Sequence, residues 1–244
     1  MVKGLVRHLA LVRDLVALYE APGLYFRFYA YIRFSLFPYR RMARLFPDSG
    51  RLLDVGCGFG LWLHYLRSLK PDLHLEGIDV DSRKISVARK SRRQQIDFQL
   101  LDVAKVDSRS YDSVCIVDVL CIVSEKTKRS LAEEMFRVLK PGGVLLLKDV
   151  DSRPRWKLAV AWLQEFVAIK VFGISTSTGL GFRSARSLIR LLEATGFVDA
   201  DVTRIDRWYP HPHILISATR PTTELAADAT GCDLLWQRNL SKSW

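Results

Sequence analysis

A glycine-rich turn carries the clearest chemical signal in the sequence. Gly56, Gly58 and Gly60 follow a short apolar stretch and precede a helical pattern, and Asp54 stands two residues before the first of them. Glycine lets the backbone turn sharply and approach a ligand without a Cβ in the way. The helix that follows presents unpaired N–H groups at its start. The turn therefore predicts a binding site for a nucleotide-like ligand.

The spacing of the glycines distinguishes two classes of ligand. A turn that binds the pyrophosphate of a dinucleotide follows the pattern GxGxxG, whereas the glycines here follow GxGxG. The acid at Asp54 would repel a phosphate, but it suits a ligand that carries a cationic amine. Cys57 lies inside the turn, and we interpret it as a small residue that fills the turn rather than as a nucleophile.

Two further acids are expected at the same edge of a sheet. Asp79 ends a predicted second strand and is followed by Val80, and Asp102 follows a predicted third strand and precedes Val103. Open α/β sheets bind ligands at the C-terminal ends of their strands, so both acids should lie near the glycine turn. Taken singly, Asp79 could equally cap a helix, and Asp102 could be an ordinary turn residue.

Taken together and in order, these segments resemble the motifs of the class I S-adenosylmethionine (SAM)-dependent methyltransferases, and the resemblance covers residues 48–219. The matching segments are motif I at 53–60, the end of the second strand at 77–81, the third-strand motif at 98–102, motif IV at 111–117 and the turn into strand five at 139–143.

The resemblance implies SAM as the cofactor. Asp79 would hold the ribose hydroxyls and Asp102 the adenine amino group, with the adenine ring between Val80 and Val103. The site residues expected to bind SAM are Asp54, Gly56, Cys57, Gly58, Gly60, Asp79, Val80, Asp102, Val103 and Asp118.

Asp118 is the first candidate for a catalytic residue. It ends the predicted fourth strand, beside the expected position of the methyl group, where it could act as an acid–base group or orient the acceptor. The alternatives are a helix cap or a contact to SAM without acid–base work. Asp149 and Asp151 follow strand five on the same rim. His211 is a second candidate, although a histidine in a loop more often has a structural role.

The alternation of strands and helices predicts an α/β fold with a doubly wound, seven-stranded, mostly parallel sheet of the Rossmann-like methyltransferase type. We expect a helical, aromatic and basic N-terminal extension at 1–47, a SAM-binding domain at 48–220 that includes a lid insertion at 154–182, and a polar tail at 221–244. Predicted strands cover 51–55, 73–79, 96–101, 113–118, 144–150, 198–206 and 213–219, and predicted helices cover 5–19, parts of 24–46, 61–69, 82–93, 124–139, 156–172 and 184–194.

The cysteine spacing and the hydropathy of the sequence bear on the cellular compartment of the protein. The four cysteines, Cys57, Cys115, Cys121 and Cys232, show no CxxC spacing, which favours a reducing compartment without disulfides or a structural metal. The sequence contains no apolar stretch that is long enough to span a membrane, and its N-terminus lacks a signal-peptide pattern. We expect a cytoplasmic protein, with peripheral contact at the inner face of the membrane as a further expectation.

The partners remain open at this stage. The net charge is +11, and residues 1–51 combine nine Lys or Arg, three Asp or Glu and ten Phe or Tyr, a local formal charge of +6. Arginine mixed with aromatic residues suits a lid over an apolar substrate, an anionic membrane surface or stacked nucleobases.

We expect methyl transfer to a small, apolar or lipid-like acceptor. Nucleic acid is less expected, because no motif similar to Asn-Pro-Pro-Tyr is present. The alternatives are an RNA-directed methyltransferase and a SAM-binding scaffold or regulator without methylation activity.

Overall fold

A seven-stranded sheet forms the centre of the computed structural model, which describes residues 2–19, 24–91, 95–154, 156–157 and 181–222. The strands are β1 (Gly50–Val55), β2 (Leu73–Asp79), β3 (Ile96–Leu100), β4 (Tyr111–Val117), β5 (Leu139–Val150), β6 (Val198–Arg204) and β7 (His213–Thr219). Their order is β3-β2-β1-β4-β5-β7-β6, and only β7 runs against the others. The predicted doubly wound, mostly parallel sheet is confirmed.

Helices cover both faces of this sheet. They are α1 (Val2–Ala17), α2 (Leu24–Leu36), α3 (Tyr39–Ala43), α4 (Leu61–Arg67), α5 (Ser82–Arg89), α6 (Glu125–Val138) and α7 (Ala185–Thr195). Strand side chains alternate between the two faces: in β1, Leu52 joins the hydrophobic cluster under α1 to α5, and Leu53 joins the cluster under α6 and α7. Each strand in the middle of the sheet is therefore buried on both sides.

Short polar side chains fix where three of the helices begin. Asp81 accepts the N–H of Arg83 at the start of α5, and Ser184 accepts the N–H of Ser187 at the start of α7. Ser124 caps α6 in the same way. These caps satisfy N–H groups that have no partner inside the helix.

The predicted turn at 141–143 is instead part of a bulge in β5. Tyr111 pairs with Leu139, and Ser113 pairs with Val144. The segment of β5 between Leu139 and Val144 is therefore longer than the segment of β4 between Tyr111 and Ser113. Gly142 takes a left-handed φ of +77° in this bulge. Both strands are consequently longer than the sequence pattern indicates.

The aromatic N-terminal segment supplies much of the larger hydrophobic cluster. Phe26, Phe34 and Phe37 are each at most 5% exposed, and the ring of Tyr39 stacks on that of Trp62 at 5.5 Å. These rings are large apolar surfaces that α2 and α3 bury against α4. Most of the aromatic residues that suggested an interfacial surface are thus core residues.

The predicted lid insertion and tail fall mainly outside the described residues. Trp162, Phe166 and Phe172, the predicted helix at 156–172 beyond residue 157, and residues 223–244 are in this group. The two ends of the insertion meet, since the N–H of Ser152 donates to the carbonyl of Arg183 at 3.2 Å.

The described residues lack both a membrane-spanning helix and a group of metal ligands. None of their helices combines the length and the apolar character needed to cross a membrane. None of their His, Cys, Asp and Glu side chains form a group of three that could hold a metal ion.

One acid of β1 is buried in the sheet itself. Asp54 lies opposite Cys115 of β4 and is 1% exposed, and the Cys115 thiol donates to its Oδ1 at 3.3 Å. The pKa of Asp54 is raised to about 7, mainly by burial; the thiol hydrogen bond opposes the shift, and the charge of Asp79 adds to it. The carboxyl group is therefore easier to ionise in the unfolded chain than in the folded protein.

This burial predicts a specific pH dependence of stability. Between the ordinary pKa of 3.8 and the folded value of about 7, the folded state holds a proton that the unfolded state has lost. The free energy of unfolding should therefore fall as pH rises through this window, by about 1 kcal/mol per pH unit from this group. Asp54→Asn should remove that slope in urea titrations at pH 4 to 7, while Asp201→Asn, an exposed acid on β6, should retain it. Equal slopes in the wild type and Asp54→Asn would contradict the assignment.

Candidate active site

The glycine turn leaves β1 and leads into α4 with a left-handed backbone at all three predicted glycines. The φ angles of Gly56, Gly58 and Gly60 are +75°, +57° and +76°. A Cβ on Gly60 would lie 2.4 Å from the ring of Phe98, whereas a Cβ on Gly58 would meet nothing within 4 Å. The turn is packed tightly at Gly60 and open at Gly58, so a ligand can approach the backbone there.

Asp79 connects this turn to the end of β2. Its Oδ2 accepts the N–H of Gly58 at 2.9 Å, and its Oδ1 accepts the N–H of Asp81 at 2.8 Å. The neighbouring Val80 is 72% exposed. An acid and an exposed apolar side chain therefore stand side by side at the edge of the sheet, as expected of residues that bind a ribose and an adenine ring.

Asp102 and Val103 lie at the corresponding end of β3. Asp102 is exposed, and its Oδ1 caps the short 3-10 turn Val103–Lys105 by accepting the N–H of Ala104 at 3.0 Å. Val103 is 4% exposed and belongs to the core cluster under α6. The observed contact of Asp102 matches the alternative that it is an ordinary turn residue. Adenine binding by Asp102 and Val103 stays a prediction.

Asp54 and Cys57 support the turn from below. Asp54 is buried between β1 and β4, as described above, and Cys57 is 9% exposed. A Cβ on Gly77 would lie 2.9 Å from the sulfur of Cys57, so the turn packs closely on β2. Burial, followed by the charges of Asp54 and Asp79, raises the pKa of the Cys57 thiol, which keeps it protonated. Both side chains are buried beneath the backbone of the turn, and their contact with the cofactor stays a prediction.

The N-terminal helices cover the turn from the other side. The hydroxyl of Tyr19 donates to the carbonyl of Phe59 at 2.7 Å. The rings of Phe26 and Tyr29, both on α2, lie 5.1 and 5.7 Å from that of Phe59. These contacts could not be predicted from the sequence, whose only relevant signal is the high aromatic content of the segment.

Asp118 lies directly after β4 at the centre of a buried ionic cluster. Its Oδ1 accepts a hydrogen bond from Lys148 Nζ at 2.5 Å, and its Oδ2 accepts one from Arg33 at 3.0 Å. The residue has a φ of +55°, which is uncommon outside glycine. The predicted catalytic residue thus sits in a strained backbone position, of the kind that is frequent at functional sites.

Two cations of this cluster were not anticipated from the sequence. Lys148 is on β5 with a fully buried side chain, and burial lowers its pKa, against the opposing effect of Asp118. Arg33 is on α2. The ring of Phe37 separates them, with the Arg33 guanidinium carbon 3.5 Å and Lys148 Nζ 3.9 Å from its centroid. Each cation therefore has a carboxylate and an aromatic face as partners.

His211 is buried in the same region. It is 4% exposed, its ring lies 5.4 Å from that of His213, and both its ring nitrogens lack a hydrogen-bond partner among the described residues. Burial lowers its pKa to about 4, and the charges of Lys148 and Arg33 contribute to the shift. The imidazole is therefore neutral at neutral pH, with one N–H and one lone pair available.

The two acids at the end of β5 differ in role. Asp149 is 3% exposed, and its pKa is raised to about 7, first by burial and then by the charge of Asp118. Asp151 accepts a hydrogen bond from Arg204 at 2.8 Å and receives the N–H groups of Arg153 and Ala185. Asp149 belongs to the ionic cluster, whereas Asp151 ties together the ends of the insertion and the edge strand.

Known proteins of similar sequence or fold include several that use SAM. A SAM-dependent Diels-Alderase, iccD, of Talaromyces variabilis is 27% identical over 169 residues, covering 64% of this chain and 55% of that protein. A ubiquinone biosynthesis O-methyltransferase of Xanthomonas axonopodis pv. citri (strain 306) is 31% identical over 118 residues, covering 46% of this chain and 48% of that protein. The chain spans about half the length of the curated relatives it matches.

Solved structures show the same fold. Human N-acetylserotonin methyltransferase in complex with SAM superposes with a TM-score of 0.62 and 20% identity, covering 88% of this chain and 57% of that one. A family model described as a methyltransferase domain matches residues 25–202, which is well over half of the chain. The ordered glycine turn, the acid at the end of β2 and this match agree: the protein belongs to the class I SAM-dependent methyltransferases.

Proposed function

We propose that the protein binds SAM at the glycine turn and methylates a small, apolar or amphiphilic acceptor held beside Asp118 and His211. The residues at the turn fit this cofactor. Gly58 leaves open space next to the backbone, Asp79 offers carboxylate oxygens to hydroxyl groups, and Val80 offers an exposed apolar surface. The proposal assigns binding of the family's cofactor to these three residues.

When bound, SAM supplies a methyl group on a cationic sulfur, which a nucleophilic atom of the acceptor can displace in line. The protein must hold that atom at the correct distance and angle and keep water away. Positioning of this kind can supply about 7–11 kcal/mol of the barrier reduction. A general base is needed only when the acceptor must lose a proton.

The observation that carries the proposal is the unpartnered imidazole of His211. A buried polar group without a hydrogen bond is costly and calls for a partner. Because the ring is neutral, it can accept a hydrogen bond from an acceptor hydroxyl and orient its oxygen. A pKa of about 4 makes His211 a weak base, so acidic hydroxyls such as phenols and enols suit it best. The O-methyltransferase named above supports an oxygen acceptor.

Asp118 acts in this proposal as a positioning residue. Both of its oxygens already accept hydrogen bonds from cations, so its carboxylate is committed to Arg33 and Lys148. Removing it would leave two cations close together in a buried region, which is strongly unfavourable. Its role is to hold α2, β4 and β5 at the spacing that the acceptor pocket requires.

The acceptor class follows from the surrounding side chains. Tyr29 packs on Phe59 of the glycine turn, and Phe37 contacts the two cations that bind Asp118. Such rings bury large apolar areas of a ligand. An acceptor with an apolar body and one ionisable hydroxyl matches both the rings and His211.

A second candidate function is a SAM-dependent cyclisation. The relative from Talaromyces variabilis is named a SAM-dependent Diels-Alderase. A protein of similar sequence is therefore named for a reaction other than methyl transfer. The two functions differ in the mass of the product, because cyclisation leaves the substrate mass unchanged and methyl transfer adds a methyl group.

Loss of the ribose contact should weaken SAM binding. Asp79→Asn removes the negative charge that binds the Gly58 N–H and that is available to the ribose hydroxyls. The dissociation constant for SAM should therefore rise about 5- to 100-fold, equivalent to about 1–3 kcal/mol. Isothermal titration calorimetry measures this directly. Asp201→Asn on β6 is the matched control and should bind SAM like the wild type. Wild-type affinity in Asp79→Asn would remove Asp79 from the site.

Asp118→Asn should lower kcat more than it weakens SAM binding, since a misplacement of about 1 Å can cost about 100-fold in rate. The double variant Asp118→Asn, Lys148→Met restores the net charge of the cluster. It should recover thermal stability relative to the single variant but not turnover. Recovery of both would show that Asp118 only balances charge.

Methyl transfer itself can be followed with SAM labelled in the methyl group, offered with separate pools of lipid extract, phenolic compounds and RNA. Label should enter the phenolic or lipid pool. His211→Phe keeps the size of the ring and removes its nitrogens, so transfer should fall about 100-fold or more while SAM affinity is unchanged. His74→Phe, at an exposed position on β2, is the control.

Three results would contradict this assignment. Label found only in RNA would favour the RNA-directed alternative. SAM binding without transfer to any pool would favour a cyclase or a non-catalytic scaffold. Full activity in His211→Phe would exclude His211 from the acceptor site.

A further inference from the structure

A turn between β6 and β7 presents the most exposed aromatic side chain of the described residues. Trp208 is 86% exposed and has a φ of +70°, which is uncommon for a residue other than glycine. The N–H of Tyr209 closes the turn on the carbonyl of Asp206 at 3.0 Å. Arg41 fixes it from α3, with a hydrogen bond to the carbonyl of Arg207 at 2.6 Å. These two hydrogen bonds hold the backbone of the turn, and the indole of Trp208 is exposed to solvent.

A second exposed indole lies next to the same turn. Trp156 is 64% exposed, and the adjacent Lys157 bonds Asp206 Oδ2 at 2.7 Å. Lys157 also satisfies the carbonyl of Asp206 at 3.3 Å. This contact neutralises the acid of the turn and brings the two tryptophans to one region of the surface.

Arginines occur in this turn and on or next to helix α3, which contacts it. Arg207 lies over the ring of Trp208, with its guanidinium carbon 5.6 Å from the centroid. Arg40 and Arg44 are exposed and flank Arg41 on or next to α3. Since Asp206 is paired with Lys157, the formal charge of this region is positive.

We propose that this tryptophan surface, defined as Trp156, Trp208, Arg40, Arg44 and Arg207, docks on a membrane that contains anionic lipids. Indole rings favour the headgroup zone of a bilayer, and exposed arginines are attracted to its negative surface. Stacking of nucleobases uses an aromatic platform within a basic groove, whereas Trp208 projects from the tip of a turn. The combination of projecting indoles and unneutralised cations fits a lipid surface better.

Docking there would bring the bilayer close to the candidate active site. Trp208 is exposed, but His211, three residues later in the same loop, is 4% exposed and belongs to the acceptor region. An amphiphilic acceptor could therefore pass from the bilayer to His211 over a short distance. This route rests on the proposed function, whereas the docking itself does not.

The surface differs from the one that the sequence indicated. The sequence made residues 1–47 a candidate for either a lid or a membrane contact because of their aromatic and basic content, but rings such as Phe26 and Phe34 are buried. Only Arg40 and Arg44 of that segment belong to the tryptophan surface. The indoles lie later in the chain, one after β5 and one after β6.

Sedimentation of the full chain with lipid vesicles tests the proposal. The wild type should bind vesicles of phosphatidylcholine with phosphatidylglycerol, bind pure phosphatidylcholine less, and lose binding as salt rises. Trp156→Ala, Trp208→Ala should lower the partition coefficient about tenfold or more on both vesicles. Arg207→Ala should lower it about fivefold on the anionic vesicles only.

The controls change one exposed apolar residue and one exposed arginine elsewhere. Val198→Ala on β6 and Arg129→Ala on α6 should bind vesicles like the wild type. Binding of SAM by every variant, measured by calorimetry, should stay unchanged, because the glycine turn is not altered. This readout separates a failure of docking from a failure of the proposed function.

Three outcomes would overturn the proposal. The first is no binding of the wild type to anionic vesicles at low salt. The second is vesicle binding that the tryptophan and arginine variants do not reduce. The third is tight binding of a single-stranded oligoribonucleotide that the same variants abolish, in the absence of vesicle binding.

Discussion

A lysine ammonium that has no contact with water needs a counter-charge and further hydrogen bonds, because the protein interior solvates it poorly. Lys148 meets this need through Asp118, and Asp118 in turn binds Arg33. The three residues come from β5, from the end of β4 and from α2, so one ionic cluster connects the sheet to the N-terminal helices. The position of the proposed acceptor region depends on it, since Phe37 contacts both cations and both lower the pKa of His211.

The SAM half of the site rests on a different principle, the convergence of strand ends. The parallel alignment of β1, β2 and β4 brings the glycine turn, Asp79 and Asp118 to one edge of the sheet. Backbone hydrogen bonds then complete the arrangement, because Asp79 binds the Gly58 N–H. The SAM half is therefore determined mainly by backbone geometry, and the proposed acceptor half by buried side-chain charge.

This difference explains what the sequence could and could not predict. The glycine spacing and the acid after β2 are local patterns, and the predicted sheet and family are confirmed. The partners of Asp118 are 85 and 30 residues away, and a single sequence carries no signal for such contacts. Asp54 was expected to suit the ligand amine, and that contact stays a prediction; its burial and its hydrogen bond from Cys115 were not anticipated. A fully apolar strand pattern around an acid could have indicated this burial. The bulge in β5 was missed because Pro-Gly-Gly is also typical of a turn.

Helix α2 makes contact with both halves of the site within two turns. Phe26 and Tyr29 pack on Phe59 of the glycine turn, and Arg33 binds Asp118. Any rotation or shift of this helix that accommodates one ligand also changes the surroundings of the other. Linkage then requires the effect to be reciprocal: if SAM strengthens acceptor binding by some factor, the acceptor strengthens SAM binding by the same factor. The coupling between the two ligands would consequently be a property of α2, a helix that lies outside the sheet.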